Sequence, residues 1–114
     1  MKFSYDHAQR YAVSDYLEIV EYCSPKERLQ VPLDGAVGYF KKGSFGPKVN
    51  TGFTELFFVL DGCLTIEIDT SVLHLKKEDM FIVPEGKVHT LHGDSARLFI
   101  SCTPPFSPEK VSFL

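Results

Sequence analysis

Residues 55–68 read Glu-Leu-Phe-Phe-Val-Leu-Asp-Gly-Cys-Leu-Thr-Ile-Glu-Ile, two β-prone runs on either side of Asp61-Gly62. Asp-Gly in such a setting signals a two-residue hairpin, because the tight turn needs positive φ and glycine adopts it without a steric penalty. The spacing then predicts that Leu60 faces Cys63 and Glu55 faces Ile68. Side chains alternate along a strand, so one face collects Glu55, Phe57, Val59, Leu64, Ile66 and Ile68. The other face collects Leu56, Phe58, Leu60, Cys63, Thr65 and Glu67. The first set is the predicted interior, and Glu55 is its only charge. Two explanations for that carboxylate stay open. It sits at the mouth of a barrel, solvated or held by a backbone N–H or a lysine such as Lys48, or it faces a cavity as a functional group.

Outward from this segment, short apolar runs recur between Gly, Pro, Asp and Ser turns. Residues 16–23, 36–42, 72–75, 80–83, 87–91 and 96–102 are predicted strands, the spacing of an all-β jelly roll. Residues 3–12 form a helical turn or irregular cover. The tail Thr-Pro-Pro-Phe-Ser-Pro-Glu-Lys-Val-Ser-Phe-Leu cannot continue a central strand, since proline lacks the N–H the ladder needs. It is expected to pack along the outside of the barrel through Phe106 and Phe113.

With 114 residues, 44% of them hydrophobic, and ten phenylalanines, the chain suits one domain with a real core, residues 1–114 with the barrel at about 36–102. The formal net charge of −3 comes with scattered lysines and arginines and no basic stripe, which argues against nucleic-acid binding. The N-terminal segment lacks the apolar run of a secretory signal and no stretch is long enough to span a membrane, so a cytoplasmic location is expected by default. The three cysteines, Cys23, Cys63 and Cys102, show no zinc-type spacing and read as free thiols.

A second segment, Pro-Glu-Gly-Lys-Val-His at 84–89, puts a histidine at the start of a short strand after a turn. Taken with the first, it resembles the cupin superfamily. Cupins share two motifs, glycine, five residues, His-x-His, three or four residues, glutamate, six residues, glycine, then glycine, five residues, Pro-x-Gly, two residues, His, three residues, Asn. Gly43, Glu55 and Gly62 fall in register with the first, and Pro84, Gly86 and His89 with the second. In that register Val49 and Thr51 stand where the family places its paired histidines, Glu78 replaces the second motif's opening glycine, and Gly93 its closing asparagine. Only Glu55 and His89 then remain of the usual three-histidine, one-glutamate metal set. The resemblance implies a cupin jelly roll in which Glu55 and His89 open into one cavity.

Two imidazoles short, such a site is expected to hold no resident cofactor, with weak binding of a divalent transition metal left open. Val49→His with Thr51→His is expected to restore a metal site. His92 lies an odd number of residues after His89 and is expected to point to the opposite face, in a His-Gly-Asp-Ser turn. Two functions follow. The first is a small-molecule-binding cupin, for a sugar or small carboxylate, with Val49, Thr51, Glu55, Phe57 and His89 around the pocket. The second is a cupin enzyme, either a metal-dependent dioxygenase or isomerase, or a metal-free isomerase or epimerase with Glu55 and His89 as catalytic acid and base. His89 held simply by a hydrogen bond to Glu55 or backbone is the structural alternative. The row Leu56, Phe58 and Leu60 on the outer face, with strand 16–23 offering an edge, predicts a two-fold homodimer.

Overall fold

The computed structural model describes residues 2–22 and 34–114. Within them the chain forms nine strands: β1 (Gln9–Ser14), β2 (Leu17–Glu21), β3 (Ala36–Phe40), β4 (Gly43–Asn50), β5 (Thr54–Ile68), β6 (Ser71–Leu75), β7 (Met80–Val83), β8 (His89–Thr103) and β9 (Val111–Phe113). Short 3-10 turns lie at Tyr5–His7 and Pro108–Lys110. The strands join in one curled antiparallel sheet, a β-barrel of the jelly-roll kind. One path runs β1-β2-β3-β8-β4-β9, and β5 pairs with β6, β7 and β8.

The spine of the barrel is the β5–β8 ladder, which runs from Thr54 opposite Thr103 to Ile68 opposite His89. Each of these strands has 15 residues. A straight strand of that length spans about 50 Å at ~3.3 Å per residue, longer than the 39 Å maximum extent of the molecule. Both must bend, and they do so at one level. The β5 register shifts at Val59/Asp61 and Asp61/Cys63, Gly62 has φ +76° and, across from it, Ser95 has φ +52°. A Cβ at Gly62 would lie 2.2 Å from the Ser95 carbonyl oxygen, so only glycine fits this corner.

This corrects the hairpin reading. Asp61-Gly62 is a bulge inside one strand, with the Asp61 carboxylate accepting from the Gly62 N–H at 3.0 Å. The fold-back is blocked because β7 and β8 flank residues 55–58 while β6 and β8 flank residues 64–68. Glu55 therefore pairs with Val83 and Cys102, and Ile68 with Ser71 and His89. The predicted faces hold all the same. Glu55, Phe57, Val59, Leu64, Ile66 and Ile68 are all buried, because a bulge's extra residue shifts the side-chain phase just as a two-residue turn does.

Predicted strands 87–91 and 96–102 merge into β8, so His92 lies within a strand and not in a turn. The predicted strand at 16–23 is β2 over its described part, with Cys23 outside the described residues. β2 lies between β1 and β3, so it offers no free edge to a second subunit. Residues 43–50, not among the predicted strands, form β4. The outward-facing row Leu56, Phe58 and Leu60 is half-buried, with exposed Met80 and Ile82 beside it on β7 and Phe99 beside it on β8. Cys63 is an exposed free thiol and Cys102 is buried.

The core inside the curl contains Leu17, Ile19, Phe40, Phe57, Val59, Leu64, Ile66, Ile68, Val83, Leu91, Ala96 and Leu98. At one end this packing opens into a cavity. No helix among the described residues is long and apolar enough to cross a membrane.

Candidate functional site

The cavity encloses about 490 Å³ and its wall is overwhelmingly apolar, with Leu17, Ile19, Phe45, Phe57, Leu91 and Ile100 prominent. Tyr11 and Val13 of β1 line it, as do Phe106, Pro108, Val111 and Phe113 of the tail. The terminal segments thus build the cavity wall instead of packing on the outside. Asp34 fastens the tail there, its carboxylate accepting from the Cys102 and Phe106 N–H groups, each at 2.7 Å. The Phe106 ring packs edge-on against Phe53 at 5.7 Å between centroids, and Phe113 against Phe45 at 5.2 Å.

Among these apolar surfaces lies a buried polar cluster. Lys48 Nζ donates to Glu55 Oε1 at 3.2 Å, and Asn50 Nδ2 donates to the same oxygen at 2.9 Å. The Lys48 and Glu55 side chains are only 6% and 8% exposed, so this is a buried ion pair. It is also the lysine contact left open as an explanation for Glu55. Phe45 covers one side of the ammonium, which lies 5.5 Å from the ring centroid. Lys48 and Glu55 both line the cavity.

His89 sits directly across the β4–β8 ladder from Lys48 and is buried. Its Nδ1 lies 2.9 Å from the Lys87 carbonyl oxygen. A carbonyl only accepts, so Nδ1 carries the proton and Nε2 is the lone-pair nitrogen of the neutral ring. Burial lowers the His89 pKa below its ordinary 6.5, assisted by the Lys48 charge and opposed by the Lys87 bond and the Glu55 charge. Its Nε2 and Asn50 Oδ1 are buried acceptors for which the described residues provide no partner.

The sequence register placed Val49 and Thr51 at the site, and the structure moves them off it. Between Phe45 and Lys48 the β4–β8 register shifts, so Phe45 and Lys48, three residues apart, both line the cavity. Lys48 and Asn50 are buried and meet Glu55, whereas Val49 is half-buried, Thr51 is exposed and neither lines the cavity. A signal for this existed. Leaving four residues before Glu55, the longer spacing the motif permits, lands on Asn50 and Lys48. Phe57 lines the cavity as expected, and Asn50 and Asp34 are the polar groups the sequence reading missed.

A different polar row occupies the outer face. Ser44 Oγ lies 2.6 Å from His92 Nδ1, and His92 Nε2 lies 2.6 Å from Glu67 Oε2. Thr65 bonds His74 at 3.1 Å, and the Tyr16 hydroxyl donates to the Ser44 carbonyl. His92 therefore points away from His89, as its odd spacing required.

A sequence profile for the cupin domain matches residues 38–101, more than half of the chain, and the protein belongs to the cupin family. A search of curated protein sequences returned no significant match. Among solved structures, the chain is similar to Streptomyces Pac13, a nucleoside dehydratase also solved with uridine. There the TM-score is 0.83 at 13% identity, covering 99% of this chain and 89% of that one. KdgF from Halomonas sp. gives 0.74 at 15% identity over 91% and 94% of the two chains. Oxalate decarboxylase from Bacillus subtilis gives 0.80 at 15% identity, covering 98% of this chain and 31% of that one. At these identities the likeness establishes the fold.

Cupin metal centres rest on imidazoles and a carboxylate, and here the corresponding cluster is Lys48, Asn50, Glu55 and His89. These residues do not fit a divalent ion. A protonated amine 3.2 Å from the carboxylate already places a positive charge on the oxygen a metal would use, and an amide is a weak donor beside imidazole. Among the described residues no group of three or more His, Cys, Asp and Glu side chains is placed to hold a metal.

Proposed function

We propose that this protein is a small-molecule-binding cupin that takes its ligand into the barrel cavity and reads one polar end of it with the Lys48–Glu55 pair. The observation that carries this is an apolar cavity of about 490 Å³, within the range of ligand pockets, with the buried Lys48–Glu55 ion pair in its wall. A structural ion pair alone would be cheaper replaced by packed hydrocarbon, since burying two charges costs several kcal/mol before their attraction offsets it. Two of the similar structures are named as enzymes acting on small molecules, a nucleoside and oxalate, which is consistent with this use of the barrel. The test is an NMR titration of the full chain against sugars, small carboxylates and small alcohols. Shifts should cluster at Phe45, Phe57 and Leu91. Ile100→Trp, which fills the cavity, should abolish them, whereas Ile82→Trp on the outer face should not. Shifts that survive Ile100→Trp would sink the proposal.

A second reading, metal-free acid–base catalysis, is favoured by the fixed tautomer of His89. With Nδ1–H held by Lys87 and burial keeping the ring neutral, Nε2 is a base, and Glu55 is the second proton carrier. His89→Gln would keep a side chain that hydrogen-bonds but cannot exchange a proton at neutral pH. It should preserve ligand binding and remove turnover, and turnover that persists in it would reject the catalytic role.

A further inference from the structure

We infer that the cavity takes a neutral ligand whose polar end donates a hydrogen bond, an alcohol or diol on an apolar ring or short hydrocarbon body, and that it turns carboxylates away. This rests on the small-molecule reading above. The argument is a count of unfilled hydrogen-bonding positions. Both protein donors to Glu55 converge on Oε1, and Oε2 takes none from the described residues. Asn50 Oδ1 and His89 Nε2 are buried acceptors that likewise lack a donor. Of these residues Glu55 lines the cavity and Asn50 and His89 do not, so Glu55 Oε2 is the acceptor open to a ligand's O–H or N–H group, and an acceptor left unfilled in such a place costs about 1–3 kcal/mol. On the donor side Lys48, which lines the cavity, has N–H groups to spare, with one bond spent on Glu55.

A hydroxyl matches this inventory, because it can donate to Glu55 Oε2 while accepting from Lys48. A carboxylate does not. It can only accept, so it leaves Glu55 Oε2 unfilled, and it brings a second negative charge beside Glu55 in a poorly solvated place. The pair it would approach is already neutral overall, so no net positive charge offsets that repulsion. The apolar wall of Leu17, Ile19, Phe57 and Ile100 sets the other half of the specification. A free sugar, hydroxylated all round, would strip water from most of its hydroxyls with few groups to receive them.

The experiment compares four probes of one shape on the full chain by NMR titration near neutral pH: benzyl alcohol, benzoate, benzylammonium and toluene. Benzyl alcohol should bind at least about tenfold more tightly than benzoate, than benzylammonium, whose charge Lys48 opposes, and than toluene. Glu55→Gln, which removes the negative charge and leaves Lys48 unbalanced, should move the preference toward benzoate. Benzoate binding as well as the alcohol, or toluene matching it, would overturn the donor-head inference while leaving the cavity reading intact. If none of the four binds, toluene included, the cavity reading itself falls. Should Glu55→Gln fail to fold, the probe ratios of the unaltered protein decide the matter alone.

Discussion

β4, β5 and β8 each send polar side chains to both faces of the sheet. Inside, Lys48, Glu55 and His89 form the buried cluster, and outside, Ser44, Glu67 and His92 form a chain of hydrogen bonds from the same three strands. The chemistry of the two groups is similar, yet their surroundings differ. The Lys48–Glu55 pair is 6% and 8% exposed, while His92 and Glu67 are 37% and 53% exposed. Water solvates each outer charge whether or not its neighbour is present. Inside, each charge depends on the other. Ser44 and Lys48 are an even number of residues apart, as are Glu55 and Glu67, and in regular strands each pair would share a face. The shift between Phe45 and Lys48 and the bulge around Gly62 are what separate them.

The largest effect expected from this contrast is on stability. Lys48→Met leaves Glu55 buried and uncompensated and should cost about 3 kcal/mol in urea unfolding. Adding Glu55→Leu should recover most of that loss. If Lys48→Met alone is neutral, the inner pair is as well solvated as the outer one and the contrast disappears. A second test concerns which side chains share the cluster. Lys48→His with Asn50→His should bind Co²⁺ at least about tenfold more tightly than Val49→His with Thr51→His, read from the visible absorption of the bound ion. The reverse order would restore the register read from Gly43.

A smaller effect is expected from pH. Because burial lowers the His89 pKa in the folded state, the unfolded chain takes up this proton first as the solution is acidified. Stability linked to His89 is therefore complete above its ordinary value of 6.5 and declines as pH falls toward the lowered folded value. The urea midpoint should drop between about pH 7.5 and about pH 5.5, and His89→Gln should reduce the drop. An equal drop in the variant would assign it to other groups. The smallest effect belongs to the outer row, where Glu67→Gln should change stability by less than about 1 kcal/mol. A loss as large as that of Lys48→Met would mean that exposure does not set the difference.

The interior of β5 was legible in the sequence because alternation survives whether Asp61-Gly62 is a turn or a bulge. What the strand pairs with was not. A glycine at positive φ serves both devices, and only the presence of β6, β7 and β8 on its flanks decides between them. At the site, Glu55 and Phe57 were readable from spacing, whereas His89, expected to open into the same cavity, is buried opposite Lys48 and does not line it. Lys48 and Asn50 were displaced by one position, because the irregular step after Phe45 breaks the counting that motif registers assume. The wall contributed by β1 and the tail brings residues from near both ends of the sequence to one cavity, which no local pattern encodes. Asp34 fastens the tail through two backbone amides that leave no trace in residue type.

The continuous β5–β8 ladder also sets an order of assembly. Its rung at Ile68–His89 closes the shortest loop and its rung at Thr54–Thr103 the longest. Loop-closure entropy grows with the length enclosed, so zipping should start at the former and run toward the latter. Glu55, opposite Cys102, lies one rung from the far end. The side of the cavity that Glu55 contributes is thus the last to be completed, after the side at Leu91 and Lys48, and the amides around Glu55 should exchange with solvent sooner than those around Ile66.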